Sequence, residues 1–155
     1  MCGIVGFIDG SGSRTRDTLR GIAERMTATL RHRGPDDGGV WIDPAAGLAL
    51  GHRRLSIVDL SPTGAQPMVS SCGRYVIVFN GEIYNFRELR TDLISRGHRF
   101  RGSSDTEVIL AAVSEWGIAS SLKRFNGMFA FALWDSVDHV LHLARDRAGE
   151  NPIAI

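Results

Sequence analysis

YVIVFNGEIYNFRELRTDL, Tyr75 to Leu93, is the stretch on which the architecture turns. Tyr75 to Phe79 is a run of β-branched and aromatic residues and reads as a strand. Asn80-Gly81 follows it, and Asn-Gly after a strand is a leading signal for a tight hairpin turn. Glu82 to Asn85 is too short to form a second paired strand, so a helix is expected next. Asn85 suits its N-cap, with Glu88 three residues on as in a capping box. Phe86, Leu89 and Leu93 supply the apolar face, and Gly97 the stop.

The same grammar recurs downstream. Ser104 is a candidate cap with Glu107 three residues later, Val108, Ile109, Ala112 and Trp116 follow at helical spacing, and Gly117 ends the run. Met128 to Trp134 and Val140 to Ala144 read as a closing hairpin turning at Asp135 to His139. Upstream, Gly3 to Asp9 is a short apolar run closed by turn residues, hence a buried strand. Leu19, Ile22, Met26 and Leu30 place an amphipathic helix over roughly Asp17 to Leu30. Arg31 to Gly39 is loop, and Val40 to Ile42 and Leu48 to His52 are two strands joined through DPAAG. Strands come in clusters and do not alternate with helices, which favours antiparallel sheets with helices on their outer faces, an α+β layering.

At 155 residues the chain suits a single domain. Eighteen basic against 17 acidic residues leave a formal net charge of +1, which gives no electrostatic reason to expect nucleic acid or an acidic membrane surface as partner. No apolar run approaches the ~20 residues of a membrane span, and the start lacks a secretory pattern. A cytoplasmic setting is expected, with Cys2 and Cys72 as free thiols. Nothing has zinc spacing: His32 and His52 read as structural, and no metal site is expected.

Five residues carry possible chemistry. A free Cys has a pKa near ~8.5 and needs a base beside it to attack a carbonyl. Removal of Met1 would give Cys2 an α-amine titrating near ~7.7–8.0, so that one residue holds nucleophile and base; the alternative is that Cys2 merely starts a strand. Asn80 and Gly81 could hold an oxyanion with a side-chain amide and a backbone N–H, although read alone they remain a turn. Arg54, in GHRRLSIVD, could grip a carboxylate with two parallel hydrogen bonds, or be a solvated strand end. Asp105 lies in a first helical turn, where the dipole alone favours a carboxylate.

The order of these segments is more telling than any one of them. MCGIVGF at the start, RHRGPD at Arg31 to Asp36, RLSIVDL at Arg54 to Leu60, GAQPM at Gly64 to Met68, NGEIYNF at Asn80 to Phe86, SDTEVIL at Ser104 to Leu110 and GMFAFALWD at Gly127 to Asp135 together resemble the amidotransferase domain of asparagine synthetases. The resemblance implies an N-terminal-nucleophile hydrolase fold, a four-layer αββα sandwich of two antiparallel sheets, occupying residues 1–155. It implies hydrolysis of glutamine to glutamate and ammonia through a thioester on Cys2. Asn80 and Gly81 would form the oxyanion site. Arg54, with backbone groups near Ile57 and Val58, would bind the α-carboxylate of glutamine, and Glu82 and Asp105 its α-ammonium.

Two departures shape the remaining expectations. The family's ATP-using domain carries an SGGxDSS-type loop that is absent from these residues. No cofactor is therefore expected in this domain; ATP and Mg belong to a synthetase domain or subunit that would receive the ammonia, with pairing of two copies left open. Gly149 to Ile155, GENPIAI, replaces the family's GxKPLYY-like segment, and a C-terminally truncated sheet is expected. The competing expectation is a truncated, non-catalytic module that binds glutamine or acts as an interaction surface.

Overall fold

The computed structural model of the chain describes residues 2–55 and 64–155. In chain order the elements are β1 (Gly3–Ile8), α1 (Arg16–Thr29), β2 (Asp37–Asp43), β3 (Leu48–Arg54), β4 (Met68–Val69), β5 (Tyr75–Ile83), α2 (Phe86–Ser95), α3 (Asp105–Trp116), α4 (Ile118–Arg124), β6 (Gly127–Asp135) and β7 (Val140–Arg145). They make a three-stranded sheet in the order β1-β3-β2 and a four-stranded sheet in the order β4-β5-β6-β7. Every pairing is antiparallel.

Period-2 alternation along the strands produces the layers. On β3, Leu48 and Leu50 point one way and Ala49 the other. Ala49, with Ile42 of β2, packs on Leu19 and Ala23 of α1. Leu48 and Leu50 meet Val76 and Val78 of β5 and Ala132 and Trp134 of β6, which forms the seam between the sheets. The opposite face of β5 and β6, with Ile77, Phe79, Ile83, Phe129, Phe131 and Leu133, packs on Leu89 and Leu93 of α2 and on Val108, Ile109, Ala112 and Val113 of α3. The result is helix, sheet, sheet, helices: the αββα sandwich expected from the sequence. Each large side chain buried in these seams stabilises by ~1.5–3 kcal/mol. Among the described residues no helix is long and apolar enough to cross a membrane.

Several local expectations need correction. Asn80-Gly81 is not a turn: β5 runs on to Ile83, with Asn80 opposite Ala130 and Gly81 opposite Phe129. The long partner β6 supplies pairing that a local reading cannot see. Asn85 stands before α2 but makes no side-chain capping bond. Its amide instead spans to the end of α4 and the loop after it, donating to the Arg124 carbonyl at 2.9 Å and accepting from the Asn126 N–H at 3.0 Å. Ser104 does cap α3, accepting from the Glu107 N–H at 3.3 Å. Two elements were not expected. α4 follows immediately on Gly117, whose φ of 73° breaks α3 without ending the helical region, and β4 is only two residues long.

Candidate active site

The alternation that builds the seam also selects the residues at its open end. On β3, the face carrying Leu48 and Leu50 continues through His52 to Arg54. On β5, the face carrying Val76 and Val78 continues through Asn80 to Glu82. Cys2 shares its face with Ile4 of β1, which packs in the same seam. Two apolar surfaces thus turn polar at the same end of the sandwich, and a cavity of about 260 Å³ opens there. Its wall includes Cys2, Arg54, Asn80, Gly81, Glu82 and Asp105, together with His52, Gln66 and Thr106. Six of the eight residues singled out in the sequence therefore meet around one space. The other two, Ile57 and Val58, lie outside the described residues, as does Met1.

Cys2 is half-buried, a free thiol directly ahead of β1. Its Sγ accepts the Leu55 N–H at 3.4 Å, which ties the start of the chain to the end of β3. The Asn80 amide is buried in the opposite wall, and its Nδ2 donates to Oδ1 of Asn151 at 3.1 Å.

Gly81 has a backbone that other residues rarely adopt, with φ 143°, and a Cβ there would run into the Met128 carbonyl oxygen. Its strand partner Phe129 turns its own backbone groups the other way, exchanging hydrogen bonds with Asp146. Antiparallel alternation then puts the Gly81 N–H on the outer edge of β5, beyond the short β4. The N–H groups two residues to either side lie on that same edge and are both taken by side chains. Phe79 N–H donates to Oε1 of Gln66 at 2.6 Å, and Ile83 N–H to Oδ2 of Asp105 at 3.0 Å.

Asp105 is placed by the cap of α3 and holds that helix to β5. Burial pushes its carboxyl above the ordinary Asp value, outweighing the backbone hydrogen bonds to it, and neighbouring Glu82 adds repulsion. A buried carboxylate of this kind gains from a cation entering the cavity. Gln66 extends the bracing, its Nε2 donating to Oγ1 of Thr106 at 3.3 Å.

His52 is 1% exposed and crosses the seam, its Nε2 lying 3.1 Å from the Phe79 carbonyl oxygen. Burial lowers its pKa from 6.5 to about 4, with Arg54 and Arg53 adding to the effect against the Phe79 contact. The ring is therefore neutral at ordinary pH, and Nε2 donates. His52 was expected to be structural, and this bridge is a structural role at the wall of the cavity. Gln66 appeared in the sequence only inside GAQPM. Its partners lie 13 and 40 residues away, so no local pattern marks it.

A two-sheet sandwich layered in this way, with its cavity where the chain begins, has the architecture of the N-terminal-nucleophile hydrolases. The chain belongs to the glutamine amidotransferase domain family, whose model matches residues 1–155. It is 42% identical over 154 residues to asparagine synthetase [glutamine-hydrolyzing] 3 of Bacillus subtilis, covering 98% of this chain and 24% of that protein. It is 41% identical over 153 residues to asparagine synthetase B of Escherichia coli, covering 99% of this chain and 26% of that one. The chain thus spans about a quarter of the length of the curated relatives it matches. Among solved structures, the glutamine phosphoribosylpyrophosphate amidotransferase of B. subtilis superposes with a TM-score of 0.61 over 87% of this chain and 35% of its own, at 21% identity. That likeness bears on the fold.

Proposed function

We propose that this chain hydrolyses glutamine to glutamate and ammonia, with Cys2 as the nucleophile. With Met1 removed, the α-amine of Cys2 takes the thiol proton as Sγ attacks the carboxamide carbon. The tetrahedral oxyanion is held by the Asn80 side-chain amide and the Gly81 N–H. The intermediate collapses to a thioester, the proton passes to the leaving ammonia, and water then cleaves the thioester to release glutamate. Oxyanion donors of this kind each contribute ~10²- to 10³-fold. Arg54, with backbone groups near Ile57 and Val58, takes the α-carboxylate, and Asp105 and Glu82 take the α-ammonium. Charges of both signs around one cavity favour a free amino acid over a glutamine side chain within a peptide, whose α-groups are uncharged amides.

The single observation behind this reading is that Cys2, Arg54, Asn80, Gly81, Glu82 and Asp105, drawn from three separate elements and the chain start, line one cavity. The domain works without a cofactor of its own. Its ammonia goes to an ATP-dependent synthetase domain or subunit in the cytoplasm, with asparagine synthesis as the amidation that the relatives' names support. The test is ammonia release from glutamine. The parent chain is expected to turn over, and Cys2→Ala to lose at least ~10³-fold in rate while still binding glutamine. Equal turnover by the two sinks the assignment of Cys2. Intact mass reports whether Met1 has left.

A further inference from the structure

We propose that Asn151 is a positioning residue for the oxyanion site, fixing which end of the Asn80 amide faces the cavity. This rests on the glutaminase reading and names a residue outside the motifs that suggested it. Asn151 is 1% exposed and is not among the residues that line the cavity, yet its side chain meets the Asn80 amide. Its Oδ1 accepts from Asn80 Nδ2 at 3.1 Å. An asparagine amide can turn over and present either its oxygen or its NH₂ in one direction. With the Asn151 Oδ1 turned towards it, the Asn80 amide cannot reverse alone, because that would set two carbonyl oxygens against each other; both amides would have to turn over together. Among the described residues Nδ2 makes this one hydrogen bond, so its second proton can serve an oxyanion.

The support behind Asn151 is itself built. Strand β7 ends at Arg145, and the buried Asp146 carboxylate gathers the N–H groups of Phe129, Glu150 and Asn151 at 3.0, 3.1 and 3.3 Å. This turn carries the chain back across the end of β6 and delivers Asn151 to β5. The Nδ2 of Asn151 is meanwhile buried with no partner among the described residues. A side chain of apolar shape would avoid that orphaned donor, so the observed residue is not what stability alone would choose.

The experiment compares ammonia release by the parent chain, Asn151→Leu, Asn80→Ala and the double variant. Asn151→Leu keeps volume and loses the acceptor. Loss of one hydrogen bond's worth of orientation is expected to lower kcat about three- to tenfold with the glutamine KM changed less than about twofold. Because Asn151 acts through Asn80, the double variant is expected to match Asn80→Ala. Multiplying effects in the double variant, or a raised KM at unchanged kcat, overturns the proposal. A second readout is independent of turnover: the side-chain ¹⁵N–¹H pair of Asn80, assigned by its loss in Asn80→Ala. One proton of that pair is expected to shift upfield in Asn151→Leu, and Asn151→Asp, which keeps an acceptor, to restore it. An unmoved pair overturns the proposal. If Asn151→Leu folds poorly, Asn151→Ala is read in the same way. A parent chain that releases no ammonia sinks the glutaminase reading, and the Asn80 resonances then decide the positioning role alone.

Discussion

The two helix-covered faces of the sandwich are packed in opposite ways. Under α2 and α3, the four-stranded sheet buries Ile77, Phe79, Ile83, Phe129, Phe131 and Leu133, and α3 is buried at six of its twelve positions. Under α1, the central strand β3 offers only Ala49 and Gly51, between Phe7, Val40 and Ile42 of its neighbours, and the helix buries only Leu19, Ala23 and Thr27. There the helix comes close to the backbone of β3: a Cβ on Gly51 would strike Thr27 Oγ1, itself bonded to the Ala23 carbonyl at 2.7 Å. The first face is held by volume and the second by close approach. The proposed oxyanion donors and Asp105 belong to the voluminous half, and Cys2 to the close-packed one.

The two faces should therefore fail under opposite changes. Phe131→Ala empties the larger core and is expected to lower unfolding free energy by about 3–5 kcal/mol, measured by chemical denaturation. A loss below about 1 kcal/mol would show that this half is not held by volume. Next in size is the joint between the halves. His52 has a folded pKa of about 4 against 6.5 unfolded, so the unfolded chain takes up a proton first as pH falls. Its contribution is complete above about pH 6.5 and declines as pH drops towards 4, by up to about 3 kcal/mol. In His52→Gln, which can still donate to the Phe79 carbonyl, that part of the pH dependence should flatten. An unchanged acid limb would remove His52 from the joint. The smallest effect is expected at α1, where adding matters more than deleting: Gly51→Ala should cost about 1–3 kcal/mol by forcing the helix outward. A neutral result would mean that α1 tolerates displacement.

Much of this was legible in the sequence, for reasons that differ by region. The apolar runs at Gly3–Asp9 and Tyr75–Phe79 announced strands by their composition; β5 is covered on both faces, by α2 and α3 and by the other sheet, and β1 less fully, with Ile8 57% exposed. Ser104 announced its helix because capping is a contact three residues long. Asn85 misled because its amide is used 39 and 41 residues away. The turn reading of Asn80-Gly81 was locally sound and failed because β6, some 50 residues on, pairs straight past it. The site shows the same division. Cys2, Arg54, Asn80, Gly81, Glu82 and Asp105 were found through ordered motifs, and the structure gathers them. Gln66 and Asn151 bond through their side chains to elements far along the chain, which leaves no periodicity to read. The residues around Ile57 and Val58 lie outside the described part of the chain.

β5 turns its odd-numbered apolar side chains to the helices and the side chains of Asn80 and Glu82 to the cavity, a division set only by whether a residue number is odd or even. A slip of one residue against β6 would turn the Phe79 ring to the side now held by the Asn80 amide and drive Asn80 among the helices. Deleting any one residue between Val76 and Phe79 should thus inactivate the protein more surely than most point changes, because no side chain in the second half of the strand could keep its side. The apolar core beneath α3 is in this sense a ratchet, holding the strand at the one notch where Asn80 and Gly81 line the same cavity as Cys2.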